Sequence, residues 1–126
     1  MDISKKIAEM KKEPLFTQNV GMILVHNGVV RAWSRKDKAQ VQAIEVTPDF
    51  EKIEEIRKEF EQKPGIYKII IEAKKGTLKP GDDLLFIIVA GDIREHVKPV
   101  LAEVLDKVKK EAISKKEVVD SRSTTP

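Results

Sequence analysis

Cysteine is absent from the chain. That removes disulfides, thiolate metal sites and cysteine nucleophiles together. Histidine occurs only as His26 and His96, too few for the usual zinc ligand sets without carboxylate help, so neither a metal nor a cofactor is expected. Aromatic residues make up 5% of the sequence, and none is interleaved with the lysines of 107–116 in the way that stacks nucleic-acid bases. No apolar run approaches twenty residues, so no membrane-spanning helix is expected. Met1-Asp2-Ile3-Ser4-Lys5-Lys6 is followed by no apolar stretch of the kind that makes a secretion signal, and a cytoplasmic place is the expectation.

What remains is a chain of 126 residues, a length that suits one domain with its own core. Charged residues are 36% of it, yet the net charge is only +3. The signs are therefore mixed, and no uniformly basic surface recommends nucleic acid as a partner.

Apolar spacing divides the chain into elements. Ile3, Ile7 and Met10 recur at helical intervals, and the spacing predicts a short amphipathic helix over 2–12 that Pro14 closes. Residues 20–26 read as a strand ending at an Asn27-Gly28 turn signal, with extended chain resuming over 29–33. Residues 34–38 read as an exposed, mobile loop, and Val41–Val46 as a second strand. Thr47, Pro48 and Asp49 form a helix start, with a hydroxyl cap, proline at the first position and an acid in the first turn. Ile53, Ile56 and Phe60 continue that helix to Pro64-Gly65. Residues 66–72 and 84–90 read as buried strands, separated by turn chemistry over 75–82. Val97, Val100, Leu101, Val104, Leu105 and Val108 form the cleanest helical stripe. Residues 1–118 are expected to be one domain and 119–126 a flexible polar tail. Without strict βαβ alternation, the order implies an α+β fold with a mixed or antiparallel sheet and a long C-terminal helix packed on it.

Several segments also resemble a known family. Gly21 to Arg31 is similar to G-A-x-x-x-F-x-G-x-V-R, Ala43 to Pro48 to L-x-E-x-Y-x, and Gly76 to Asp82 to G-x-L-x-x-G-D. Val89 to Arg94 falls where V-x-x-x-H-R is found. Asp106 to Lys109 and Lys115 to Glu117 fall on D-x-L-K and W-K-K-E. In order and spacing, over roughly 15–118, these resemble the MoaE family, the large catalytic subunits of molybdopterin synthase.

The resemblance implies a hammerhead-type fold and a sulfur transfer. A ubiquitin-like small subunit, MoaD-like, would bring sulfur as a C-terminal thiocarboxylate on a flexible tail. Two sulfurs would pass to cyclic pyranopterin monophosphate to make molybdopterin, a step of molybdenum cofactor biosynthesis. It also implies a homodimer within a heterotetramer. Lys109 and Lys116 are the catalytic residues it implies, and Arg31, Arg94 and Lys115 the substrate-binding ones. Lys115 and Lys116 both fit the terminal family lysine.

The chemistry needs these residue types. An anionic thiocarboxylate meets an anionic phosphate only where fixed cations offset their repulsion. Arginine's planar fork suits phosphate, and a desolvated lysine can move protons. Arg31 and Arg94, each just after a strand, are expected to converge with a lysine on one anion pocket. Lys109 and Lys116, seven residues apart, share a face if the helix continues. The bland alternative is a solvated basic face over 107–116. The chain departs from the family at Ile93, which replaces a histidine, and at His26, which replaces a phenylalanine and reads as a strand-end polar residue. Ile113-Ser114 stand where an aromatic run is found. These departures keep a second reading open, a MoaE-like scaffold that binds a ubiquitin-like partner with little catalysis.

Overall fold

The structure, a computed structural model, describes residues 1–119. Helix α1 spans Ile3–Lys11 and is capped by Asp2, whose carboxylate accepts the Lys5 backbone N–H at 3.0 Å; a short α2 (Phe16–Asn19) follows. Strand β1 (Met22–Val29) pairs antiparallel with β5 (Asp83–Gly91), and β5 pairs antiparallel with β3 (Ile66–Ala73). The strand order is β1-β5-β3. A second antiparallel sheet has the order β4-β2-β6, with β2 (Val41–Pro48) between β4 (Gly76–Leu78) and β6 (Ile113–Val119). Helices α3 (Phe50–Glu61) and α4 (Arg94–Glu111) complete the fold.

The core explains the arrangement. In β5 every residue from Leu84 to Gly91 is buried. One face of its sheet meets Met10 of α1, with Phe16, Val20 and Tyr67 packed around Ile88 and Ala90. The other face packs Leu85, Ile87 and Val89 against Ile53, Ile56 and Phe60 of α3 and Val97, Val100, Val104 and Val108 of α4. The α4 stripe is therefore buried as the periodicity predicts, with Leu101 and Leu105 at its margin. The same cluster reaches Val41, Ile44 and Val46 of β2, joining the second sheet to the first.

Four expectations need correction. Asn27-Gly28 is not a turn: β1 runs through it opposite Phe86 and Leu85, and the ladder is irregular only between Gly28 and Val29. Sheet pairing here outweighs the local turn preference of the dipeptide. Helix α3 starts two residues later than expected. Pro48 closes β2 opposite Ile113, and Asp49, not Thr47, is the cap, accepting the Lys52 N–H at 3.0 Å. The 34–38 loop is exposed over 35–38 as expected, but its first residue is anchored. Ser34 is buried, its hydroxyl donates to Glu117 at 3.0 Å, and Asp37 accepts the Ala39 N–H at 3.0 Å.

The largest correction is at the C-terminus. Helix α4 ends at Glu111, and the chain returns along β2 as β6. Lys109 and Lys116 therefore do not share a helix face. The tail expected over 119–126 falls outside the described residues except for Val119, which pairs with Val41.

Val104 is fully buried where α4 meets the sheet. Val104→Ala should lower unfolding free energy by about 2 kcal/mol, the scale for losing two buried methyl groups with a residual cavity. Urea denaturation followed by circular dichroism checks this; a loss under about 0.5 kcal/mol would place Val104 outside the core.

Candidate functional site

Segments far apart in the sequence meet at the β1 C-terminal end of the first sheet. Strand β1 supplies His26 and Gly28, and the β1–β2 connection supplies Arg31 and Arg35. The end of α4 supplies Lys109, and β6 supplies Lys115 and Glu117. Ile44, Leu84 and Leu85 form the apolar floor of the cleft, whose volume is about 390 Å³.

Four cationic side chains thus face one carboxylate. Among the described residues, none of the four makes an ion pair. Some cations on the helices behave differently. Lys107 pairs with Glu59 at 3.0 Å, and Arg57 is held by Glu54 and Glu61 at 2.6 and 2.7 Å. Like charges converging without counterions are costly, so the cleft carries a positive field that favours negative charge. Glu117 offsets part of the repulsion, and its acceptance of the Ser34 hydroxyl ties the Arg35 loop to β6.

Period two along β6 decides between the two candidate lysines. Lys115 and Glu117 share the cleft face, and Lys116 lies on the opposite one. Burial holds the Lys115 ammonium below the ordinary lysine pKa, reinforced by the positive charges of Lys109, Arg31 and Arg35 and opposed by Glu117. Arg31 is steadied by Trp33, its guanidinium carbon lying 4.9 Å from the ring centroid, and Lys38 lies 4.2 Å from the same centroid. Trp33 is exposed beside the cleft rather than packed in the core.

The structure brings together Arg31, Lys109 and Lys115 of the residues expected from sequence. Arg94 is elsewhere. Because β1 and β5 are antiparallel, with Met22 opposite Gly91 and Val29 opposite Asp83, chain leaving β1 and chain leaving β5 emerge at opposite ends. The eight residues of β1, at about 3.3 Å each, set the two arginines more than about 20 Å apart. The expectation that they converge fails within one chain. Arg94 is 79% exposed and pairs with its neighbour Glu95 at 3.1 Å.

Two cleft residues escaped the sequence reading as functional groups. Arg35 was indistinguishable from surface charge in Ser34-Arg35-Lys36-Asp37-Lys38, and Glu117 from its solvated neighbours. Only alternation along β6 would have signalled Glu117, and that required knowing β6 was a strand. His26 shows a clearer anomaly. Its Nε2 is buried without a hydrogen-bond partner, and burial, then the nearby Lys109 charge, depress its pKa.

A larger hollow of about 550 Å³ lies between α2 and the opposite end of the sheet, lined by Leu15, Gln18, Asn19, Tyr67 and Asp92 among others. It has no basic side chain, and the Tyr67 hydroxyl is already committed to Glu13 at 2.5 Å. The smaller cleft is the chemically equipped one. Among the described residues no group of three His, Asp or Glu side chains could hold a metal ion, and no helix is long and apolar enough to cross a membrane.

The depressed His26 pKa has a signed consequence for stability. The unfolded chain takes up the imidazole proton at a higher pH than the folded one does. The folded state keeps its full stability above about pH 6.5 and loses part of it as pH falls through the lowered value. His26→Phe removes this loss, so thermal scans should show a smaller drop in Tm from about pH 7.5 to about pH 5 than in the wild type. Equal drops would show that His26 is not held neutral.

The fold matches solved structures. Molybdopterin synthase from Staphylococcus aureus aligns at 23% identity and TM-score 0.70, covering 81% of this chain and 77% of that one. Molybdopterin cofactor biosynthesis protein E from Burkholderia multivorans aligns at 22% identity and TM-score 0.74, covering 94% and 77%. A chain from the complex of subunits 1 and 2 of molybdopterin-converting factor from Helicobacter pylori aligns at 15% and 0.67, covering 94% and 80%. At these identities the likeness shows the fold. No curated protein matches the chain at a significant level. The MoaE protein family, however, matches residues 1–111, from α1 to the last residue of α4 and so across Arg31, Arg94 and Lys109, and the chain belongs to that family.

Proposed function

We propose that the chain is the large subunit of a molybdopterin synthase and acts in molybdenum cofactor biosynthesis in the cytoplasm. It would transfer sulfur from the C-terminal thiocarboxylate of a ubiquitin-like small subunit to cyclic pyranopterin monophosphate. The observation that carries this reading is the set of unpaired cations, Arg31, Arg35, Lys109 and Lys115, around one cleft. Two anionic reactants need such a field to approach each other. The apolar floor lowers the local dielectric and so strengthens it. Family membership and the two-subunit complex among the structural relatives support the same assignment.

In this reading Arg31 and Arg35 hold phosphate by paired N–H donors, and Lys109 meets the thiocarboxylate. Lys115, its pKa depressed by burial and neighbouring cations, supplies or accepts the proton of the transfer step. Lys115, not Lys116, then corresponds to the terminal family lysine. Arg94 can act on a cleft of this kind only from a second copy of the chain, which joins its substrate-binding role to the homodimer.

A second reading, a scaffold that docks the small subunit with little turnover, is favoured by Ile93. Its exposed aliphatic side chain can neither bind phosphate nor exchange protons. Reconstitution with a thiocarboxylated small subunit and cyclic pyranopterin monophosphate separates the two, since docking without dithiolene formation leaves only the scaffold.

In the same assay Lys115→Ala should lower the transfer rate by about a hundredfold or more, the range for losing a positioned proton carrier. Lys116→Ala should stay within about threefold, because its side chain does not line the cleft. The reverse ranking would move the proton carrier to Lys116. Arg31→Ala and Arg94→Ala should each be inactive alone. Dissociating and re-pairing the two at equal amounts should restore about a quarter of the sites, as random pairing in a two-fold dimer requires. No recovery would remove Arg94 from the shared site.

A further inference from the structure

The cleft contains one polar group that this chemistry leaves without a task. The His26 ring forms part of the wall, yet its Nε2 is buried and bonded to nothing among the described residues. It rests against Gly28, close enough that a Cβ there would come to 3.0 Å from it. A glycine at that position leaves the ring where it lies, whereas a Cβ would press it aside by a few tenths of an ångström. Buried polar atoms ordinarily find partners, and an orphan one in the wall of an open cleft marks a contact that an incoming ligand can complete. A half-turn about χ2, a broad two-fold torsion in histidine, exchanges Nε2 with Cε1 without moving the strand.

The charges sharing the cleft with His26 are Lys109 from α4, Arg31 and Arg35 from the β1–β2 connection, and Lys115 and Glu117 from β6. β2 and β5 contribute only aliphatic side chains to it. With four cations against one carboxylate, the cleft disfavours the imidazolium. A bound dianion reverses the sign of the nearest charge and supplies an acceptor, so both causes then favour the imidazolium.

We propose that His26 is an anion-contacting residue of this cleft and that its imidazole takes up a proton as a doubly charged oxyanion binds. The proposal rests on the reading of the cleft as an anion site. It adds that occupancy is proton-linked through a residue standing where the family resemblance has phenylalanine. The ligand class is a phosphate or similar dianion rather than a singly charged carboxylate, because two negative charges offset more of the excess positive charge of the cleft than one does. No covalent step is involved; the proton comes from solvent and returns there on release.

The test is an imidazole NMR titration of the full chain, with and without inorganic sulfate, between about pH 5 and about pH 8, where histidine titrates and sulfate stays dianionic. The two histidines make the assignment simple. His96, bonded to Asp92 at 2.8 Å at the far end of the sheet, is an internal control. Sulfate should raise the His26 midpoint by about one unit and leave His96 unmoved. By linkage, the ratio of wild-type to His26→Phe sulfate affinity should then grow about tenfold from the alkaline to the acidic end. Sulfate binding that Arg31→Glu abolishes, but that leaves the His26 midpoint unmoved and the ratio flat, would overturn the role of His26 and keep the anion cleft. Absence of any sulfate binding at the cleft would overturn both. The wild-type titration needs no variant to fold.

Discussion

The antiparallel pairing of β5 with β1 and β3 is the constraint on which the rest depends. β5 is covered on both faces, by α1 and α2 on one side and by α3 and α4 on the other. A strand in that position must satisfy its backbone within the sheet, because no water reaches it. Its apolar side chains then orient the helices. Val97, Val100, Val104 and Val108 give α4 one way to lie, and that lie carries Lys109 to the β1 C-terminal end. The same pairing sends Arg94 to the other end. A single hydrogen-bonding pattern thus assembles part of the basic set and separates the rest.

The second sheet does the finer placement. β6 is short and mostly polar, and its place comes from its ladder to β2. β2 in turn is held by Val41, Ile44 and Val46 in the common core. Alternation along β6 turns Lys115 and Glu117 toward the cleft and Lys116 away. The Ser34–Glu117 hydrogen bond then closes the Arg35 loop over the same edge. Hydrophobic burial far from the cleft thereby holds four like charges near one another. Burial and mutual repulsion depress the Lys115 pKa in consequence.

Conventional surface electrostatics surround this region. Lys107, Lys52 and Arg57 all find carboxylates on α3, α4 or both. Exposed pairs of this sort contribute little to stability individually. Other lysines also stand without a carboxylate, and what sets Arg31, Arg35, Lys109 and Lys115 apart is that they gather round one cleft.

The amino-acid sequence by itself determined the amphipathic helices, the strands β3 and β5, the α+β class and the family, although only β5 is buried along its length and β3 is mostly half-buried. Each of these is written in local periodicity or in short segments kept in order. It also singled out Arg31, Lys109 and the Lys115–Lys116 pair as chemically suited residues. Tertiary structure alone decided which of them meet. Strand direction set Arg31 and Arg94 apart, β6 separated Lys115 from Lys116, and a buried serine converted an apparent loop charge, Arg35, into part of the cleft. The physical reason is that side-chain periodicity is a property of neighbours along the chain. Pairing partners and the end at which a strand exits are fixed by contacts between residues tens of positions apart, and no short stretch of sequence carries them.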